Sequence, residues 1–86
     1  MYQIVFKPSA SKEFEHLPRQ VQVRFRHALE LLASDPLQPR PGLHIAPLHD
    51  RKREWKLRVG HYRGIYVVDA DVIRFTRFGH RSTVYR

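Results

Sequence analysis

The stretch Glu54-Trp55-Lys56-Leu57-Arg58-Val59-Gly60-His61-Tyr62-Arg63-Gly64-Ile65-Tyr66-Val67-Val68 decides the fold of this 86-residue chain. Trp55, Leu57 and Val59 alternate with Glu54, Lys56 and Arg58, the two-residue period of a strand with one buried and one exposed face. Gly60-His61 is short enough for an antiparallel hairpin turn. The run from Gly64 to Val68 is apolar enough for a strand covered on both faces, and Asp69-Ala70-Asp71 gives a second turn. Strands are therefore expected over residues 54–59, 62–69 and 72–78. One face buries apolar and aromatic groups; the other offers Lys and Arg to a polyanion.

Toward the N-terminus, Tyr2-Gln3-Ile4-Val5-Phe6-Lys7 alternates and stops at Pro8, which predicts an opening strand. Ser9 or Ser11 caps a short helix running to Leu17, with Glu13 in its first turn, where a carboxylate suits the positive end of the helix dipole. Pro18 ends that helix and starts the next. From Arg19 to about Ser34, Val21, Phe25, Ala28, Leu29 and Leu32 recur at three- and four-residue steps and form one apolar stripe. Asp35-Pro36 stops this helix, and Pro39, Pro41 and Gly42 prolong the break. The connection through Pro47 is long for so small a domain, with Leu43, Ile45 and Leu48 available to pack its far end beneath the sheet. The order β-α-α-β-β-β predicts one α+β domain over residues 1–86, a helical hairpin on one face of an antiparallel sheet.

Sixteen Lys and Arg against eight Asp and Glu give a net charge of +8, and the excess is local. Residues 1–50 hold six basic against five acidic side chains; residues 51–86 hold ten against three. A one-sided positive field of this kind suits phosphate neutralisation, although an acidic protein or an anionic membrane would use the same field. Without cysteine there is neither a disulfide framework nor thiolate chemistry. The N-terminal apolar run is too short for a signal peptide, and no stretch approaches a membrane span, so a cytoplasmic protein is expected. Six histidines without an i, i+4 pair and the lack of a phosphate-loop glycine pattern give no metal or nucleotide site. No cofactor is expected.

Two spacings within WKLRVGHYRGIYVVDADVIRFTRFGHRSTVYR, residues 55–86, carry more: Arg58-x-Gly60-x-Tyr62-Arg63 and Gly79-x-Arg81-x-x-x-Tyr85. Strand, first motif, strand, acidic turn, strand, second motif: in this order the segment resembles the signature half of the RelE/ParE superfamily, toxins of type II toxin–antitoxin pairs. The resemblance implies the α+β fold above. It also implies one of three functions: a ribosome-dependent messenger RNA endonuclease, a ParE-like gyrase inhibitor, or a relative that binds RNA or ribosomes without catalysis. The first is the reading preferred, with a small acidic antitoxin, the ribosome and messenger RNA as partners.

By the same resemblance, Lys56 matches a cleft cation and Arg63 the catalytic-cleft arginine. Arg81 matches a second phosphate-contacting arginine, and Tyr85 the tyrosine at the cut nucleotide. Guanidinium groups stay charged and grip phosphate with paired hydrogen bonds; the structural alternative for Arg63 is an ion pair with Glu54 or Asp69. Glu54 stands where the family's best-known pattern has another lysine, which offers a carboxylate as alternative base. His80 and His61 have side chains whose ordinary pKa suits proton transfer at neutral pH, and His80, beside Arg81, is the better candidate. His44 and His49 read as solvated loop residues. Arg51, Lys52, Arg53, Arg58, Arg74 and Arg77 complete the candidate RNA contacts.

Overall fold

A computed structural model describes residues 1–49 and 53–85. The chain runs through β1 (Gln3–Phe6), α1 (Pro8–Glu15), α2 (Arg19–Leu32), β2 (His44–Pro47), β3 (Glu54–Val59), β4 (Tyr62–Asp69) and β5 (Val72–His80). The strands form one sheet in the order β1-β5-β4-β3-β2, so the Arg63-bearing strand lies at its centre. Both helices cover one face. This is the expected α+β arrangement, with two differences in the sheet.

First, β1 pairs parallel with β5, Gln3 opposite Val72 and Phe6 opposite Phe75, so the sheet is mixed rather than antiparallel. Parallel neighbours need a long crossover, and here the rest of the chain supplies it. Second, the proline-rich connection contributes the strand β2, antiparallel to β3. Leu43 and Ile45 are buried, so residues 43–46 alternate in and out as an edge strand does. Pro47 closes β2 at the sheet border, a place where a missing N–H is tolerated.

A cluster of rings forms the core. Phe75 and Phe78 stack with centroids 5.0 Å apart, and Phe6, Phe14 and Phe25 meet Phe78 at 4.9, 5.1 and 5.3 Å. Strict alternation would send Phe75 and Phe78 to opposite faces. The β4–β5 register slips between Ile65 and Tyr66, leaving Thr76 as an extra residue, and this bulge turns both rings inward. Gly64 makes the room: a Cβ there would lie 2.8 Å from Phe75 and 2.9 Å from Phe78.

The bulge also explains Glu13. Expected in the first turn of its helix, it instead follows Pro8, which opens α1 after Lys7 with no side-chain cap. Its Oε1 accepts the Phe78 N–H at 3.0 Å, and its Oε2 lies 3.9 Å from Arg77 Nε. β1 ends opposite Phe75, so the carboxylate takes over where the edge partner stops. In the core, Tyr66 is fully buried and donates to the Pro36 carbonyl at 2.8 Å. Burial pushes its hydroxyl well above the ordinary pKa, and Asp35 adds to the effect.

Candidate nucleic-acid interface

The sheet face away from the helices carries the cations in ordered rows, because directly paired residues share a face. One row reads His44, Arg58, Arg63, Gly79 across β2, β3, β4 and β5. The next reads Ala46, Lys56, Ile65, Arg77. A third reads Glu54, Val67, Arg74, with Val5 of β1 beyond. Ile65 is fully buried in the middle row, outside the main aromatic core. Lys56 and Arg77 flank it, so their aliphatic stems cover apolar surface while their charges reach water.

Two hollows open on the first row. One is lined by Lys56, Arg58, Arg63, His44 and Ala46, with Arg40 and the prolines of the connection. The other runs from Arg58, Arg63 and His44 past the Gly60-His61 turn to Arg81 and to Arg24 and His27 on α2. His44, Arg58 and Arg63 are common to both. Among the described residues that line them, none is a carboxylate. Cations so grouped repel one another, and a bound polyanion relieves that repulsion.

Arg63 is half-buried, and its Nη1 donates to the carbonyls of Gly60 at 3.0 Å and Tyr62 at 2.9 Å. These bonds fold the guanidinium against its own hairpin and leave its other donors for a ligand. Neither suggested ion pair forms: Asp69 instead lies 4.0 Å from Arg53, both well exposed. Arg40 is a structural member of the lining. It donates to the carbonyls of Leu31, Asp35 and Gln38 and to Ser34 Oγ, tying the proline-rich segment to the end of α2.

Of the candidates read from the sequence, the structure brings Lys56, Arg58, Arg63 and Arg81 together. Glu54 instead lines a separate groove with Lys7, Arg53, Asp69, Arg74, Thr76 and Arg77. It lies four residues along β3 from Arg58, about 13 Å at the rise of a strand. His80 and Tyr85 line neither hollow. His80 is the last residue of β5, at the start of the turn that follows, with its ring against Tyr62 and His61 at 5.4 and 6.1 Å. Tyr85 follows Val84, which is buried over Gly79. Arg51 and Lys52 fall outside the described residues.

Sequence reasoning set His44 aside as a solvated loop residue, whereas it opens strand β2 and lines both hollows; Arg24 and His27 were not singled out. His44 left a signal in Leu43-His44-Ile45, where two buried flanks force the middle side chain to the other face. Arg24 and His27 left none, because a polar residue on the outer side of a helix looks the same whether or not a sheet edge faces it.

The family model described as "ParE toxin of type II toxin-antitoxin system, parDE" matches residues 4–85. The chain is similar to the toxin in the RelB-RelE antitoxin-toxin complex from Methanococcus jannaschii, with TM-score 0.78, 25% identity and 94% of each chain covered. It is similar to the toxin of the archaeal RelE-RelB complex from Pyrococcus horikoshii, with TM-score 0.77, 24% identity, and 96% of this chain and 98% of that one covered. For the Escherichia coli DinJ-YafQ toxin-antitoxin complex the TM-score is 0.77 at 19% identity, with 99% and 98% covered. Among curated proteins none matches. With the family model spanning nearly the whole chain and the fold shared with these toxins, the chain belongs to the ParE toxin family of type II toxin–antitoxin systems, within the RelE/ParE superfamily.

Proposed function

We propose that this toxin is a messenger RNA endonuclease that works on the ribosome, cutting in the A site. The observation that carries the reading is the carboxylate-free set of Lys56, Arg58, Arg63 and Arg81 around two joined hollows. In the proposed reaction the 2′-hydroxyl oxygen attacks the adjacent phosphorus and the bond to the 5′-oxygen breaks. The products are a 2′,3′-cyclic phosphate and a 5′-hydroxyl. A base takes the 2′-hydroxyl proton and an acid returns one to the 5′-oxygen; neither step calls for a metal. Negative charge grows on the phosphoryl oxygens in the transition state, and preorganised cations there supply the largest share of such catalysis. Arg63, held by its two carbonyls, and Arg58 face the scissile phosphate, with Lys56 and Arg81 on either side.

His44 sits where the two hollows meet, one strand from Arg58, and is the histidine shared by both. It is assigned the proton transfer. So sparse an acid–base set suits an enzyme whose RNA is positioned by the ribosome, since orientation alone contributes about 7–11 kcal/mol. The free protein is therefore a weak nuclease in this reading.

The toxin is held inactive by an acidic antitoxin, as RelB accompanies RelE in the archaeal complexes; opposite charge to a chain of net +8 speeds and orients that encounter. Residues 1–86 act as one toxin domain in the cytoplasm, where translating ribosomes are. The test is primer extension on a defined messenger RNA, with and without translating ribosomes, beside Arg63→Ala and Arg81→Ala. Cuts within codons that need ribosomes and vanish in both variants are expected. A folded, growth-inhibiting protein that leaves every lane uncut overturns the reading. The match to a family model bearing the ParE name favours a second reading, inhibition of gyrase by protein contact. Supercoiling assays that respond to the wild type and to Arg81→Ala alike would establish it.

A further inference from the structure

Four successive backbone N–H groups follow β5, and all four are bound by two histidines. The Arg81 N–H donates to the His61 carbonyl at 2.8 Å. The Ser82 N–H donates to His80 Nδ1 at 3.1 Å, and the N–H groups of Thr83 and Val84 both donate to the His80 carbonyl, at 3.0 and 2.9 Å. A residue whose side chain accepts the N–H two positions on, while its carbonyl takes those beyond, is doing what an Asn or Asp does at a helix N-cap or Asx turn. Here the acceptor is an imidazole. Its ring is steadied by an edge contact with Tyr62, its cross-strand partner, and by stacking on His61.

A backbone N–H is only ever a donor, so Nδ1 must offer its lone pair and the ring proton sits on Nε2. Ser82 Oγ, 2.8 Å from the same nitrogen, adds a second polar neighbour on that side. The lone pair a general base would need is thus engaged. The turn so built has Arg81 at its start, lining the cation hollow, and Val84 at its end, buried over Gly79, with Tyr85 next.

We infer that His80 is a positioning residue: its Nε2–H imidazole caps the turn at 81–84 and thereby fixes Arg81 and Tyr85, and it does not carry the proton in the reaction. The catalytic consequence rests on the endonuclease reading above; the cap itself does not. Two measurements on the free protein therefore come first. Long-range nitrogen–proton spectra of His80 are expected to show the Nε2–H form, and an Nδ1–H ring overturns the cap. Amide exchange at Ser82, Thr83 and Val84 is expected to speed up about five- to tenfold in His80→Ala, the effect of losing a cap. It should return to the wild-type rate in His80→Asn, whose short side chain accepts the same N–H. Unchanged exchange in His80→Ala overturns the cap whether or not the protein cuts RNA. If ribosome-dependent cutting is seen, His80→Asn keeps it and His80→Ala loses about tenfold, since an arginine on a loosened turn spends less time in place. Equal loss in both variants, with turn exchange intact, would return His80 to the role of acid or base.

Discussion

The two ends of the exposed sheet face carry similar numbers of cations and differ in their carboxylates. Toward the Gly60-His61 turn, Lys56, Arg58, Arg63 and Arg81 line hollows without an acid among the described lining residues. Toward the Ala70-Asp71 turn, Lys7, Arg53, Arg74 and Arg77 share their groove with Glu54 and Asp69. The second group is half compensated, two carboxylates to four cations; the first has no carboxylate among its described lining residues. Under the proposed function, lack of compensation rather than density of positive charge marks the site.

The sharpest test pairs one arginine from each end. Arg63→Ala is expected to lower ribosome-dependent cleavage by about 10²–10³-fold, the scale of losing one transition-state donor. Arg74→Ala should leave kcat within about threefold, less than 1 kcal/mol of barrier. Both side chains reach the surface of the sheet, so Tm should move by no more than about 2 °C in either variant. Equal losses from single-turnover rates would erase the distinction between the ends. Next in size is His44→Ala, expected to lose about 10²-fold with RNA binding intact, as for removal of a general acid or base. A drop in affinity without a drop in the single-turnover rate would make His44 a binding residue only.

This contrast was only partly legible in the sequence. The β3 and β4 spans follow from alternation and from a glycine turn, and the inward face of α2 from the recurrence of Val21, Phe25, Ala28 and Leu32. Those are local signals. The grouping of Lys56, Arg58 and Arg63 follows from pairing two adjacent strands across a two-residue turn, so it too was within reach. What lay beyond reach depends on contacts distant in the chain. The β1–β5 pairing leaves no local trace, and neither does the service Glu13 gives the Phe78 N–H, 65 residues away. Separation of Glu54 from Arg63 needed the register, which sets them two rows apart with Lys56 and Ile65 between. His80 differs for another reason: beside an arginine in a functional motif it reads as chemistry, and only the folded turn shows its Nδ1 accepting the Ser82 N–H.

If compensation is what separates the ends, moving a carboxylate should move the function. Ala46 faces Lys56 across the β2–β3 pair and lines the first hollow. Ala46→Glu places an acid beside the cations, where a pair about 4 Å apart at an intermediate dielectric interacts by a few kcal/mol before solvent competes. Affinity for a short single-stranded RNA is expected to fall about tenfold, and its salt dependence to lose roughly 0.7 in slope for each phosphate contact displaced. Glu54→Gln makes the reverse change in the groove. It should raise affinity by no more than about threefold, because a surface pair is worth about 0–1 kcal/mol. A larger gain from Glu54→Gln than loss from Ala46→Glu would show that RNA lies over the groove, not the hollows.

The smallest effects concern the turns that close the two ends. Both have a residue with positive φ, Gly60 at 58° and Ala70 at 55°, a region that costs a side-chain-bearing residue about 1–2 kcal/mol. The end with the hollows uses glycine there. A Cβ on Gly60 would also lie 3.2 Å from Arg24 Nη1, so Gly60→Ala both strains the turn and pushes a lining cation aside. It should lower Tm by several degrees and cleavage by a few-fold, about 1 kcal/mol each. Ala70→Gly relieves strain where no lining cation of the hollows is disturbed. Allowing for the greater freedom glycine has in the unfolded chain, it should raise stability by about 0.5 kcal/mol, or some 2–4 °C in Tm, with cleavage unchanged. Thermal melts beside single-turnover rates on the two variants would then separate an end where backbone shape serves a ligand from one where it serves only the hairpin.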